Sequence, residues 1–147
     1  MGQIEHTHSY KCMDASQFFI GDRKVIPVLR HCFWNQHPHL SYQHFVMSNN
    51  GTIYHDEYCL SFGWSDEDGA TEKQPIFVEC RKQSSLDNMQ WVYHKSNRQI
   101  VHSETGKCLD HIDPNVILSN CDVKSRTQKW FMRSNFDWDP PSHRQDD

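Results

Sequence analysis

The chain has 147 residues, which fits one domain and leaves little room for two. Lys and Arg number 15 against 19 Asp and Glu, a formal net charge of −4, so there is no basic footprint for DNA or RNA. No apolar run reaches the roughly 18 residues that span a bilayer, and the opening MGQIEHTHSY lacks the apolar stretch of a signal peptide.

In chain order, Ile4-Glu5-His6 leads to Cys12, followed by Met13-Asp14. A β-type run, Val25 to Leu29, then precedes Cys32, and the segment closes on Gln43-His44-Phe45. After the turn signal Asn49-Asn50-Gly51 the pattern restarts. Ile53-Tyr54-His55 leads to Cys59-Leu60-Ser61, the run Ile76-Phe77-Val78 precedes Cys80, and the close is Gln90-Trp91. A third pass runs from Ile100-Val101-His102 through Cys108-Leu109-Asp110. It continues with Val116-Ile117-Leu118 and Cys121, and closes on Gln128-Lys129-Trp130. The first Cys of each unit recurs after 47 and then 49 residues, a period that marks a repeat architecture. The repeats span about 1–47, 48–95 and 96–132; residues 133–147 carry no repeat signal and read as a loose, disordered tail.

Helical periodicity is absent over any long window. The apolar runs are short, β-branched or aromatic, and bounded by turn residues such as Asp68-Gly69 and Asp113-Pro114-Asn115. Each unit therefore holds about four short strands, about twelve in all. One unit cannot bury its own apolar face, so the three share a centre. The recurrent Ile, the β-type runs and the closing aromatics are the residues expected there. Hydrophobic content is 36% and mean hydropathy −0.83, low for a self-contained core, but 12% of the chain is aromatic and each ring buries a large area.

Six Cys allow 15 connectivities. Equivalent positions in equivalent units select Cys12–Cys32, Cys59–Cys80 and Cys108–Cys121, each worth roughly 3 kcal/mol by loop-closure entropy. The alternative is six reduced, buried thiols; a zinc site would lack a CxxC pair to start it.

In these motifs the chain resembles a ricin-type (R-type) β-trefoil lectin domain, an all-β fold of three repeats. The carrying features are the Cys-Leu-Asp triplets, at Asp14 (with Met13) and Asp110, and the Gln-x-aromatic closures. Within that family it is most similar to the C-terminal lectin domain of polypeptide N-acetylgalactosaminyltransferases. Gly2-Gln3-Ile4 at the start, Ile-x-His before the first Cys and the two-Cys spacing support this, over residues 2–132. The resemblance implies a Golgi-lumen or secretory-pathway setting, which suits disulfides. It implies that this chain is no enzyme and needs no cofactor. The catalytic domain of a longer parent chain would need Mn2+ and UDP-GalNAc, and nothing here matches it. The implied role is GalNAc or galactose recognition that directs mucin-type O-glycosylation to already glycosylated substrates, with no nucleic-acid or membrane contact.

A galactose-type sugar needs a carboxylate for adjacent hydroxyls, a ring for its apolar face, and an amide. In unit one the resemblance places the carboxylate at Asp14 and the ring at Phe33 and Trp34 around the second Cys, with Gln43 as the closing Gln that serves the fold as much as the site. Tyr42 stands where the family has Asn, so the amide is either missing or supplied by Asn35, and the Cys32–Gln43 loop is about four residues longer than usual. Unit two has Ser61 for the Asp, with Asn88 at the amide position if Trp91 is the closing aromatic, and is expected to be silent. Unit three has Asp110, with Thr127 for the Asn and Asp122 after the second Cys; His111 is the nearest ring. The bland alternative is that these Asp hold turns and that the domain is a structural or interaction module whose sites have decayed. Among the eleven His, the cluster His31, His37, His39 and His44 lacks a completing Cys or carboxylate at familiar spacing, so no metal is assigned. Asn50-Gly51-Thr52 is an N-glycosylation sequon at a turn.

Overall fold

The computed structural model describes residues 2–19, 24–34, 37–62, 74–82 and 87–132. The expected tail 133–147, the Asp68-Gly69 turn and Asn35 lie outside them. Unit one contributes β1 (Ile4–His6), β2 (Lys11–Phe19), β3 (Lys24–His31) and β4 (Val46–Met47). Unit two contributes β5 (Ile53–His55), β6 (Tyr58–Ser61), β7 (Ile76–Glu79) and β8 (Trp91–His94). Unit three contributes β9 (Gln99–His102), β10 (Cys108–Ile112), β11 (Asn115–Ser119) and β12 (Trp130–Met132).

Every ladder is antiparallel, and the pairing repeats unit by unit. The first strand of each unit pairs with the last strand of the unit before it: β1 with β12, β5 with β4, β9 with β8. Short bonds close the barrel at three equivalent places. Phe45 N donates to Gly2 O (2.9 Å), Trp91 N to Gly51 O (2.8 Å) and Trp130 N to Arg98 O (2.9 Å). The central strands of each unit form hairpins, β2–β3, β6–β7 and β10–β11. Further pairing of β3 with β7 and β11 joins hairpins to one another. This is a β-trefoil of twelve strands.

The three repeat marks occupy the positions their spacing predicts. Ile4, Ile53 and Ile100 are fully buried, as are Phe45 and Trp130, with Trp91 all but so. Phe45 stacks on Phe77 at 5.5 Å, while Trp91 and Trp130 each bury an indole N–H by donating to the carbonyls of Leu60 and Leu109. In unit three only Val116 of the β-type run is buried; Ile117 and Leu118 are half-exposed. The disulfides are Cys12–Cys32, Cys59–Cys80 and Cys108–Cys121, with Cα separations of 5.0, 5.2 and 5.1 Å, inside the range a bridge requires. Each ties the first strand of a hairpin to the chain just beyond the second.

One assignment changes. In unit two the residue equivalent to Gln43 and Gln128, two before the closing aromatic, is Met89; Gln90 corresponds to His44 and Lys129. Met89 is fully buried and packs with Cys59, Ile76 and Val78.

The repeated His holds the crossing between units. His6 Nε2 donates to Thr127 O (2.9 Å) and His102 Nε2 to Asn88 O (2.9 Å). Their Nδ1 atoms face the hydroxyls of Ser9 and Thr105, so a neutral ring satisfies both partners. His55, only half-buried, reaches His44 O through Nδ1 instead (3.1 Å). Burial pushes the imidazoles of His6, His44 and His102 below their ordinary value. The folded form of each then binds fewer protons than the unfolded chain, so stability rises with pH across that window and falls on acidification below about pH 6.5. The urea midpoint is expected to drop between pH 7.5 and 5.5, and His102→Gln should shrink the drop. A midpoint that does not move with pH would contradict this account.

Candidate functional site

In unit one, Asp14 sits on β2 at the centre of a buried polar cluster and is itself fully buried. Its Oδ1 accepts from the backbone N–H (2.9 Å) and hydroxyl of Ser16, and Arg30 Nε stands 3.7 Å away. Its Oδ2 accepts from Gln43 Nε2 (3.1 Å) and His39 Nε2 (2.9 Å). Gln43 uses its whole amide. Nε2 also donates to His31 O (2.8 Å), while Oε1 accepts from Phe33 N (3.0 Å) and Gln3 Nε2 (3.0 Å). His39 comes from a 3-10 helix, Pro38–Gln43, built in the long loop after Cys32. Pro38 presets its first turn, and the His37 side chain caps it by accepting from His39 N (3.1 Å). The Phe33 ring stacks on His37 (4.2 Å), and His39 lies between Phe33 (4.8 Å) and Tyr42 (5.0 Å). Trp34 is 55% exposed beside this cluster.

Unit three repeats the same amide clamp. Gln128 Nε2 donates to Asp110 Oδ2 (3.2 Å) and Asn120 O (2.9 Å), and Oε1 accepts from Asp122 N (2.9 Å) and Gln99 Nε2 (3.0 Å). Here the loop between Cys121 and Gln128 is four residues shorter, and Asp110 is only half-buried. Burial alone would raise its pKa. Hydrogen bonds from Thr127, the His111 N–H, Gln128 and Ser119 outweigh that and hold the carboxyl below its ordinary range. It therefore presents a stable negative charge. His111 is turned away: its ring packs on His6 at 4.5 Å, with Nε2 3.5 Å from Asp113. Val123, 58% exposed, takes the place that Trp34 holds in unit one, two residues after the second Cys.

At the equivalent positions unit two has neither the carboxylate nor the clamping amide. Ser61 and Met89 stand in for Asp14 and Gln43, and both are fully buried. Thr52 replaces the Gln that precedes the repeated Ile in the other units. Among the described residues, Ser61 Oγ and Asn88 Oδ1 are buried without a partner. Asn88 does occupy the amide position, but its oxygen is inside rather than on the surface.

The structure thus gathers Asp14, Phe33, Tyr42 and Gln43 into one cluster around His39, with Trp34 at its edge and Asp110 in a separate site. His39, Ser16, Gln3, Gln99 and Ser119 join these clusters although spacing alone gives them no part in the site. Gln3 and Gln99 carried a signal, since each directly precedes the repeated Ile; His39 is signalled only by the excess length of its loop. Asp14→Ala is expected to destabilise the fold by about 3 kcal/mol, because it leaves buried donors unpaired. Asp110→Ala, at a wetter site, should cost clearly less. Equal losses in urea denaturation would contradict this difference in burial.

Comparison with known proteins agrees with the architecture. The ricin-type β-trefoil lectin domain model matches residues 1–130. N-acetylgalactosaminyltransferase 7 of Homo sapiens is 40% identical over 68 residues, which is 45% of this chain and 10% of that protein. The chain thus spans about a tenth of the length of the curated relatives it matches. A crystal structure of GalNAc-T7 with UDP, GalNAc and Mn2+ superposes with a TM-score of 0.66 at 25% identity, covering 92% of this chain and 22% of that one. The C-half of an earthworm R-type lectin in complex with GalNAc shares the fold, with a TM-score of 0.67 at 12% identity over 90% of this chain and 96% of that one. The chain holds the lectin part alone; the catalytic domain of the transferases is not in it. With its family model matched over nearly its whole length, the chain belongs to the ricin-type β-trefoil lectin domain family.

Proposed function

We propose that the chain is a carbohydrate-recognition module for GalNAc or galactose on glycoproteins, and that it binds through unit three. The observation that carries this reading is the contrast between two equivalent carboxylates. Asp110, bonded by Thr127, the His111 N–H and the Gln128 clamp, stays ionised and is only half-buried, whereas Asp14, held by the Gln43 clamp, lies beneath His39. Hydroxyls of Thr127 and Ser119 now bond Asp110. They are small and rotatable, and sugar hydroxyls can replace them as donors. Exposed Val123 offers the sugar a modest apolar edge instead of a ring. Such a half-apolar surface supports weak binding, with a Kd on the order of 1 mM for a monosaccharide. Attached to a glycosyltransferase catalytic domain, weak binding still serves, because tethering raises local substrate concentration. The likeness to GalNAc-T7 supports that partner, in a secretory compartment that the three disulfides suit. Mn2+ and UDP-GalNAc would belong to that partner domain.

A second reading is favoured by a specific feature. Asp14 has all its acceptor positions filled by protein groups, and unit three lacks a stacking ring, so the domain would act as a structural or protein-binding module. Titration of the isotope-labelled chain with GalNAc and galactose separates the two. Shifts are expected around Asp110, Ser119, Val123 and Thr127, and Asp110→Asn should abolish them. In His39→Ala, a second set is expected around Phe33 and Trp34, as the unit-one carboxylate opens. Absence of shifts in the parent chain would leave only the second reading standing.

A further inference from the structure

We propose that Asn50 carries an N-linked glycan whose first sugars seat in the groove between the β4–β5 turn and β8. The inference rests on the secretory-compartment reading. The groove has a volume of about 540 Å3, a size suited to one or two pyranose rings. Asn50 lines it, together with Gln90, Val92, Lys95 and Ser103. This set has the composition of a sugar-facing surface: an apolar patch in Val92, 45% exposed, flanked by an amide, an ammonium and a hydroxyl.

The Asn50 amide is already oriented for such an attachment. Its Oδ1 accepts from Thr52 Oγ1 (2.9 Å), Thr52 N (3.3 Å) and the Ser48 hydroxyl. Among the described residues its Nδ2 donates to nothing, and the side chain is exposed. The turn also holds the attachment point against the groove. Gln90 Nε2 donates to Asn50 O (3.4 Å) and Trp91 N to Gly51 O (2.8 Å). Gly51 has φ +89°, and a Cβ there would meet Trp91 O at 2.8 Å, so the middle residue of the sequon is fixed by the fold.

Timing follows from burial. Thr52 is only 7% exposed, and the turn is sealed by Trp91, some forty residues further on. The sequon is open to a modifying enzyme before unit two docks. In the modification, Nδ2 of Asn50 attacks C1 of the first sugar of a polyprenyl-pyrophosphate-linked oligosaccharide. The N–C1 bond forms, the C1–O bond to pyrophosphate breaks, the lipid pyrophosphate departs with the electron pair, and Nδ2 loses one proton.

The test is secretion of the full chain behind an added leader, alongside Asn50→Asp, which keeps the Oδ1 acceptor and removes the reactive nitrogen. The parent chain is expected to lose mass on treatment with a peptide-N-glycanase, and Asn50→Asp to be unaffected. Hydroxyl-radical labelling of Val92 and Lys95 should be lower in the glycosylated chain than in Asn50→Asp. Three disulfides with an unmodified Asn50 would overturn this inference alone; free thiols would overturn the compartment reading with it. A glycan present without protection of Val92 and Lys95 would overturn the seat in the groove.

Discussion

Two buried glutamine amides, Gln43 and Gln128, carry the organisation of this fold. Each bonds four groups: a strand carboxylate, a main-chain carbonyl at or beyond the end of the hairpin, a loop N–H, and a second Gln at the start of its unit. A buried network of this kind is favourable only when complete, because an unpaired polar atom inside a protein costs about 1–3 kcal/mol. Here the completeness is shared between distant parts of the chain. Gln3 and Gln43 are 40 residues apart, so barrel entry, hairpin and closing loop are fixed by one amide.

Unit two shows what replaces the clamp when it is absent. Met89 fills the amide volume with a flexible apolar side chain and packs onto the Cys59 bridge region, while Thr52 and Ser61 are short enough to need few partners. Ser61 Oγ nonetheless remains buried and unpaired. The geometry of the trefoil is kept by what the units still share: the buried Ile, the Trp91 indole bonded to Leu60 O, the His102 bond to Asn88 O, and the disulfide. Two units are therefore held by polar closure and one by packing.

Much of this was legible in the sequence because a three-fold repeat prints every structural position three times. The strand count, the buried Ile and closing aromatics, and the disulfide partners all follow from aligning Cys12, Cys59 and Cys108. The repeat is least legible where a unit lacks its mark. By residue type Gln90 reads as the closing Gln, though the fold places Met89 there, since position relative to Trp91 counts and residue type does not. The site was legible as a set of residue types and not as an exposure. Asp14 and Asp110 sit in near-identical strings, yet one is sealed and the other is wet. The difference lies in four extra residues of a loop, whose path depends on Pro38, on the His37 cap and on ring packing against Phe33.

That difference has a physical logic. A carboxylate that also anchors the fold cannot be removed alone without stranding its donors. Unit two lacks both carboxylate and clamp at the equivalent positions, whereas in unit one the carboxylate is kept and covered. His39 supplies an N–H to Asp14 Oδ2 at 2.9 Å, the kind of donor a sugar hydroxyl would offer, and its ring lies between Phe33 and Tyr42 as a pyranose would lie between aromatic walls. The imidazole thus meets the hydrogen-bonding demand of the carboxylate and the packing demand of the rings with one side chain. In unit three the shorter loop places no such side chain over Asp110, and small hydroxyls meet the demand instead. In units one and three, how far the carboxylate is covered thus follows the length of the loop after the second Cys, while the Asp–Gln clamp beneath stays the same.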